Sequence, residues 1–112
     1  MTRYREFVDR LIHSVLQTPG HTDTASRQAA LQRAAALGGR PEPATTSVQQ
    51  GFERYVTTVG RWAYRVTDAD VAALKAAGFS EDAIFELTVS TAVGAALGRL
   101  ERGLEALRGA GR

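Results

Sequence analysis

The chain has 112 residues, of which 44% are hydrophobic and 23% charged, values typical of one globular domain. Thirteen arginines and one lysine are scattered among twelve acidic residues, so no basic cluster indicates nucleic-acid binding. The absence of cysteine excludes disulfides, thiolate metal sites and thiol catalysis, and favours a cytoplasmic location. No signal-peptide-like run opens the chain, and the longest uncharged helical run, residues 87–98, is too short to cross a bilayer. We therefore expect no membrane and no nucleic-acid partner.

Two helices are predicted in the first third of the chain. Apolar residues recur at three- and four-residue steps over residues 4–16 and predict an amphipathic helix that ends before a Pro-Gly pair. A second, alanine-rich helix is predicted from near residues 22–24 to Leu37, and its few large apolar side chains predict modest burial. Residues 1–37 are interpreted as a helical hairpin that is either an arm or part of the core. Residues 38–46, rich in Gly and Pro, are interpreted as a linker.

Residues 47–112 are interpreted as the core domain, and its first helix carries the clearest apolar stripe. The stripe spans about 80° at 100° per residue and is formed by Val48, Phe52, Tyr55, Val59, Trp62, Ala63 and Val66. A short helix follows, capped by Thr67 with Asp68 and Asp70. Gly78 is predicted to end this helix.

The last predicted helix runs from Glu81 to about Arg108 and has two halves. Its first half is apolar nearly all round, with Glu86 as its only charge after the first turn, which predicts burial from several sides. Its second half is amphipathic. Because so small a domain can hardly surround a long helix by itself, we expect a homo-oligomer formed through this helix. Small residues such as Gly94 would admit close contact there.

The order of these features resembles the alkylhydroperoxidase-D-like, or carboxymuconolactone decarboxylase, family. The resemblance covers about residues 47–107 and rests on three segments in sequence: Gly78-Phe79-Ser80-Glu81-Asp82, then Ile84-Phe85-Glu86-Leu87, then small residues up to Arg99-Leu100. It implies an all-α helical bundle of that type, with four to five helices, a long C-terminal helix and oligomeric assembly.

Redox members of that family use Cys-x-x-Cys-x-x-x-His. An ungapped alignment on Gly78 places Ala63 and Val66 at the cysteine positions and Asp70 near the histidine. Since peroxide reduction and disulfide exchange need a thiolate, we expect no thiol peroxidase activity. The family's decarboxylase branch does not depend on the thiols, so a thiol-independent lyase or decarboxylase acting on a small carboxylic acid stays open as the alternative.

Glu86 is the main candidate for acid–base chemistry. It is a single carboxylate in an apolar helical segment, and burial there would raise its pKa into the range useful for proton transfer. The structural alternatives are an interior ion pair or a partly exposed position. The predicted partners for such an ion pair are Arg61, Arg65 and Arg99.

The remaining candidate residues have structural explanations. The acids after Thr67 are interpreted as helix caps rather than catalytic groups. His13 and His21 lack companion ligands for a metal site, and no pattern indicates a cofactor. An aromatic stripe at helical spacing indicates core more often than a ligand pocket; its members here are Tyr55, Trp62 and Tyr64.

The hairpin over residues 71–87 has the turn glycine of a DNA-binding helix-turn-helix. Its second helix would carry three acids and no base, which disfavours contact with phosphate. A ubiquitin-associated domain is disfavoured by the long final helix. The sequence is therefore interpreted as a cysteine-less, non-redox homo-oligomeric protein that serves as a binding or scaffold component, with a protein chain or a small molecule as its partner.

Overall fold

The computed structural model describes residues 2–40, 48 and 51–110. Within these residues the chain forms five α-helices and one short 3-10 helix, Ala63–Arg65, and no strand. The predicted all-α class with a long C-terminal helix is confirmed. The helices are α1 (Thr2–Gln17), α2 (Thr24–Leu37), α3 (Glu53–Trp62), α4 (Asp68–Ala76) and α5 (Glu81–Ala110).

Helix α5 is the axis of the fold, and α2 lies directly against it. A Cβ atom added to Gly94 would lie 2.8 Å from the Leu31 carbonyl carbon and closer still to its oxygen. Gly98 meets Ala35 of α2 in the same way. From the first contact to the second, α2 advances from Leu31 to Ala35 and α5 from Gly94 to Gly98. The two helices therefore run parallel, with their backbones in contact.

The predicted modest burial of α2 is wrong. Ala30, Leu31, Ala34 and Ala35 are all buried, because an alanine face lets α2 approach the glycines of α5 closely enough for dense packing. Helix α2 therefore belongs to the core and is not part of a separate arm. The contact at Gly94 that was expected between copies is made within one chain.

The main apolar core lies between α3, α4 and the first half of α5. Phe52 is fully buried, with its ring centroid 5.0 Å from that of Tyr55 and 5.6 Å from that of Phe79. Val56, Leu74, Ile84 and Leu87 complete the packing around it. The predicted aromatic and valine positions Phe52, Tyr55 and Val59 are buried as expected.

The third helix is shorter than its apolar stripe predicted. Gly51 adopts φ +91°, a non-helical conformation that favours glycine, and the helix starts at Glu53. At the other end the backbone changes to a 3-10 helix at Ala63. This change turns the last residues of the predicted apolar stripe away from the core, so that Trp62 and Ala63 are exposed.

The α4–α5 turn follows the predicted capping chemistry. The Thr67 hydroxyl accepts from the Asp70 N–H at 3.3 Å, and the Asp70 carboxylate accepts from the Thr67 N–H at 2.9 Å, a capping box. Gly78 adopts φ +104° just after α4, a conformation that strongly favours glycine. The Ser80 hydroxyl then caps α5 by accepting from the Ala83 N–H at 3.1 Å.

Helix α1 buries much less apolar surface than its pattern predicted. Leu16 is buried, but Phe7 is 64% exposed and Leu11 is 42% exposed. The buried Arg27 of α2 anchors the end of α1 by donating to the Val15 and Thr18 carbonyls at 2.9 and 2.7 Å. The helix is therefore fixed at its C-terminal end, while its outer apolar face stays open.

Among the described residues one helix, α5 over Glu81–Gly109, is long and apolar enough to cross a membrane by length and composition. In this fold 44% of its most apolar window is buried inside the protein. The core helix of a globular protein satisfies the same criterion, so this finding alone is weak evidence for a membrane span.

Candidate functional site

Glu86 holds the loop between α1 and α2 against α5. Its carboxylate accepts from the His21 N–H at 2.7 Å, from the Thr22 N–H at 2.8 Å and from the Thr22 hydroxyl at 2.7 Å. A side chain at Gly20 would collide with this carboxylate, since a Cβ there would lie 2.7 Å from Oε2. Asp23 follows at once and caps α2 by accepting from the Ser26 N–H at 2.8 Å. Glu86 thus sets where α2 begins on α5.

The surroundings of Glu86 lower its pKa rather than raise it. Burial is the largest single influence and raises the pKa, but the hydrogen bonds from His21 and Thr22 together outweigh it. The prediction of a raised pKa is wrong. The described hydrogen bonds of the Glu86 carboxylate all come from these two residues, so the carboxylate is ionised and engaged at neutral pH. Such a group is poorly suited to act as a general acid or base.

The predicted ion pair between Glu86 and an arginine is also wrong, although its partly exposed position matches the other structural alternative. Arg99 instead donates to the Gly60 carbonyl of α3 at 2.6 Å. Arg61 and Arg65 place their guanidinium carbons 5.8 and 4.9 Å from the Trp62 ring centroid. This cation–π contact lies at the surface, and Trp62 does not line either of the cavities described below.

The positions aligned with the family's redox motif serve structural purposes. Ala63 is exposed in the 3-10 helix, and Val66 packs half-buried against the core. Asp70 caps α4, and no described hydrogen bond joins it to Glu86. These three positions therefore do not assemble an acid–base site around the candidate carboxylate.

Tyr55 and Asp70 do share a small pocket between α3 and α4. Its volume is about 160 Å³, and Arg54 and Thr58 also line it. Ligand pockets typically measure about 300–1,000 Å³, so this space accommodates a few waters rather than an organic substrate. The Tyr55 hydroxyl is already hydrogen-bonded to the Thr88 hydroxyl at 3.0 Å.

Among the described residues, no three His, Asp or Glu side chains lie close enough together to hold a metal ion. His21 Nε2 lies 3.6 Å from an Asp82 carboxylate oxygen, and both side chains are largely exposed. His13 is exposed on α1. These histidines therefore form no multi-ligand site with described neighbours.

A wide cleft separates α1 from the C-terminal half of α5, with a volume of about 1080 Å³. Its apolar lining consists of Val8, Ile12, Leu97 and Leu104. Its charged lining holds three arginines and three acids: Arg5, Arg40, Arg108, Asp9, Glu101 and Glu105. The charges balance, so the cleft presents an apolar floor with walls of mixed sign.

One pair of charges is fixed at the edge of this cleft. Arg40, just after α2, donates through Nε to the Glu101 carboxylate at 2.9 Å and also through its terminal nitrogen. These hydrogen bonds lower the pKa of Glu101. This cleft could not be predicted from the amino-acid pattern, because the pattern of α1 predicts that its apolar residues are buried.

No protein-family model, curated protein or solved structure matches this chain. The resemblance to the alkylhydroperoxidase-D-like family therefore stays a prediction from residues 47–107. What the described residues establish is a class: an all-α bundle with a long C-terminal helix, without an assembled catalytic centre among the candidate residues, and with open apolar helix surfaces.

Proposed function

We propose that this protein is a non-redox scaffold or binding component of the alkylhydroperoxidase-D-like type, which works by assembling with further copies of itself. The observation that carries the proposal is the outer face of α1, where Phe7 is 64% and Leu11 is 42% exposed. Full burial of one such side chain contributes about 1.5–3 kcal/mol. Neighbouring exposed apolar residues on one helix are typical of interaction surfaces.

The charges of the α1–α5 cleft support the same function. Three basic and three acidic residues line it, so its walls have no net charge to repel another copy of the chain. A concentrated basic surface, as nucleic acid would need, is absent from this lining. Mixed-sign rims around apolar floors are the usual composition of protein–protein interfaces.

The alternative function, a lyase or decarboxylase acting on a small acid, finds less support in the geometry. It needs a base with a free lone pair beside a cationic anchor in a pocket of substrate size. Glu86 is fully engaged by the α1–α2 loop. The pocket that contains Asp70 and Arg54 is only about 160 Å³. The α1–α5 cleft is large enough for a substrate, but its Glu101 carboxylate is held by hydrogen bonds from Arg40. Association is therefore the better-supported function.

A double variant, Phe7→Ser with Leu11→Ser, tests the proposal. Because Phe7 is 64% and Leu11 42% exposed, the free energy of unfolding should fall by only about 1–2 kcal/mol. Self-association should weaken by roughly a hundredfold, since two apolar side chains together contribute about 3 kcal/mol to an interface. Sedimentation velocity over a concentration series gives the association constant, and urea denaturation gives the stability.

Leu16→Ser is the matched control on the same helix. Leu16 is buried, so this change should lower the stability of the chain by about 2–4 kcal/mol. If the double variant associates as tightly as the wild type, the outer face of α1 is not an interface. If it unfolds like Leu16→Ser, the exposed face is part of the core, and the proposal fails for that reason instead.

A further inference from the structure

A second open apolar surface runs along α5, away from the cleft. Seven residues of α5 form this surface. They follow one another at steps of four, three, four, four, three and four residues, so they share one face of the helix. They extend over about 33 Å at 1.5 Å per residue. Phe85 is 68%, Leu100 40% and Leu107 70% exposed. We call this surface the α5 stripe; it consists of Phe85, Val89, Ala92, Ala96, Leu100, Gly103 and Leu107.

The α5 stripe is self-complementary in size about its central residue, Ala96. When two copies are placed antiparallel across Ala96, Val89 of one faces Gly103 of the other. Leu100 then faces Ala92, and the two Ala96 residues face each other at the crossing. In a parallel arrangement Leu100 would meet Leu100 while Ala92 met Ala92, leaving alternating collisions and gaps.

The large residues Phe85 and Leu107 form the two ends of the antiparallel pairing, where each covers the other. Nothing lies within 4 Å of a Cβ added at Gly103, so space for a facing valine exists there. Small residues at the crossing let the two helix axes approach to the short end of the usual range of about 8–10 Å.

The acidic first turn of α5 and its dipole also favour the antiparallel direction. The first turn carries Glu81 and Asp82. A parallel pair brings the two acidic first turns to the same level, whereas an antiparallel pair separates them and opposes the helix dipoles. No charged residue interrupts the α5 stripe itself.

We propose that the α5 stripe is a twofold interface on which a second copy of this chain packs antiparallel, with Ala96 at the axis. The inference deepens the proposed function, because it names the partner and the register on a helix other than α1. The two surfaces can fail separately: loss of the α1 interface would leave this twofold contact intact, and the reverse also holds.

Disulfide trapping tests the register, and the chain's lack of cysteine makes single-cysteine variants unambiguous. In oxidised glutathione, Ala96→Cys should form a disulfide-linked species of twice the chain mass. Disulfides need Cα atoms within about 4.4–6.8 Å, a separation that close packing at the axis supplies. Ala92→Cys is the matched control, because two such residues would lie about 12 Å apart along the helices. It should stay unlinked although Ala92, like Ala96, is exposed.

Mixing Ala92→Cys with Leu100→Cys completes the experiment, since these positions face each other across the proposed axis. The mixture should form a linked dimer that neither variant forms alone. Equal linking at Ala92 and Ala96 would overturn the antiparallel register. Absence of linking in every variant would overturn the α5 interface, and sedimentation of the wild-type chain as an assembly would then show that the proposed function survives without it.

Discussion

Gly94→Ala is expected to destabilise the protein by about 2–3 kcal/mol, near the upper end of overpacking costs. The new methyl group would lie 2.8 Å from the carbonyl carbon of Leu31 and closer to its oxygen. These are backbone atoms of α2 that cannot rotate aside, so the two helices must separate along their contact. With about 4–8 °C per kcal/mol for a domain near this size, the melting temperature by circular dichroism should fall by about 10–20 °C.

Gly103→Ala on the same helix is the matched control for this substitution. Nothing lies within 4 Å of a Cβ at Gly103, so the intrinsic helix preference of alanine should stabilise the chain by up to about 1 kcal/mol. The opposite signs of the two Gly→Ala changes are the expected result. If Gly94→Ala is as stable as Gly103→Ala, α2 does not pack on α5 as described.

The larger substitution Gly94→Arg is consequently expected to unfold the chain rather than to dissociate an oligomer. Gly94 is buried beneath α2 of the same chain, whereas Ala92 and Ala96 lie on the exposed side of α5.

Glu86→Leu is expected to cost about 2 kcal/mol, and Glu86→Gln about 1 kcal/mol, as losses of half-buried, charge-assisted hydrogen bonds. Leucine leaves the donors of His21 and Thr22 without their acceptor. The amide oxygen of glutamine can still accept hydrogen bonds from some of these His21 and Thr22 donors. This order reverses what an interior ion pair would give, for which leucine is the better-tolerated replacement. Urea denaturation at pH 7 measures both differences.

Acid should remove the difference between the wild type and Glu86→Gln. The hydrogen bonds hold the pKa of Glu86 in the folded chain below its ordinary value of 4.5. A carboxyl group whose pKa is lower in the folded chain than in the unfolded chain stabilises the fold at pH values above the unfolded-state pKa. This stabilisation is lost as the pH falls through the folded-state pKa. The two stabilities should therefore converge below about pH 4.5.

Glu105→Gln, an exposed change on α5, should shift stability by less than about 0.5 kcal/mol at pH 7. A constant difference between the wild type and Glu86→Gln down to acid pH would contradict the role given to the Glu86 carboxylate.

Local sequence chemistry was sufficient to predict the helices and the α4–α5 turn. Thr67 with Asp70 makes a capping box, and Gly78 takes the positive φ that ends a helix. These features depend on residues a few positions apart, so a single sequence carries them.

Packing partners distant in the chain could not be predicted in the same way. The alanine face of α2 looked weakly apolar, yet it is buried because Gly94 and Gly98 lie opposite it, about sixty residues later. The apolar pattern of α1 predicted a buried face, but periodicity does not say whether the covering surface comes from the same chain.

The candidate carboxylate was found from the sequence, but its role was not. Glu86 stands out as a charge in an apolar segment, and this pattern correctly indicated a residue with specific hydrogen-bond partners. Two of its three partners are the backbone N–H groups of His21 and Thr22, which every residue type except proline provides, and the third is the Thr22 hydroxyl. No residue pattern could therefore identify the two backbone partners, and the arginines predicted as ion-pair partners lie against Gly60 and Trp62 instead.

The mass of the native chain in solution tests most directly whether the protein works by association through its open apolar helix surfaces. Size-exclusion chromatography with light scattering, run over a range of protein concentrations, should give at least twice the chain mass of 12.0 kDa. The Phe7→Ser, Leu11→Ser double variant should shift toward lower mass at the same concentration. A wild-type mass that stays at 12.0 kDa up to high concentration would contradict the proposed function.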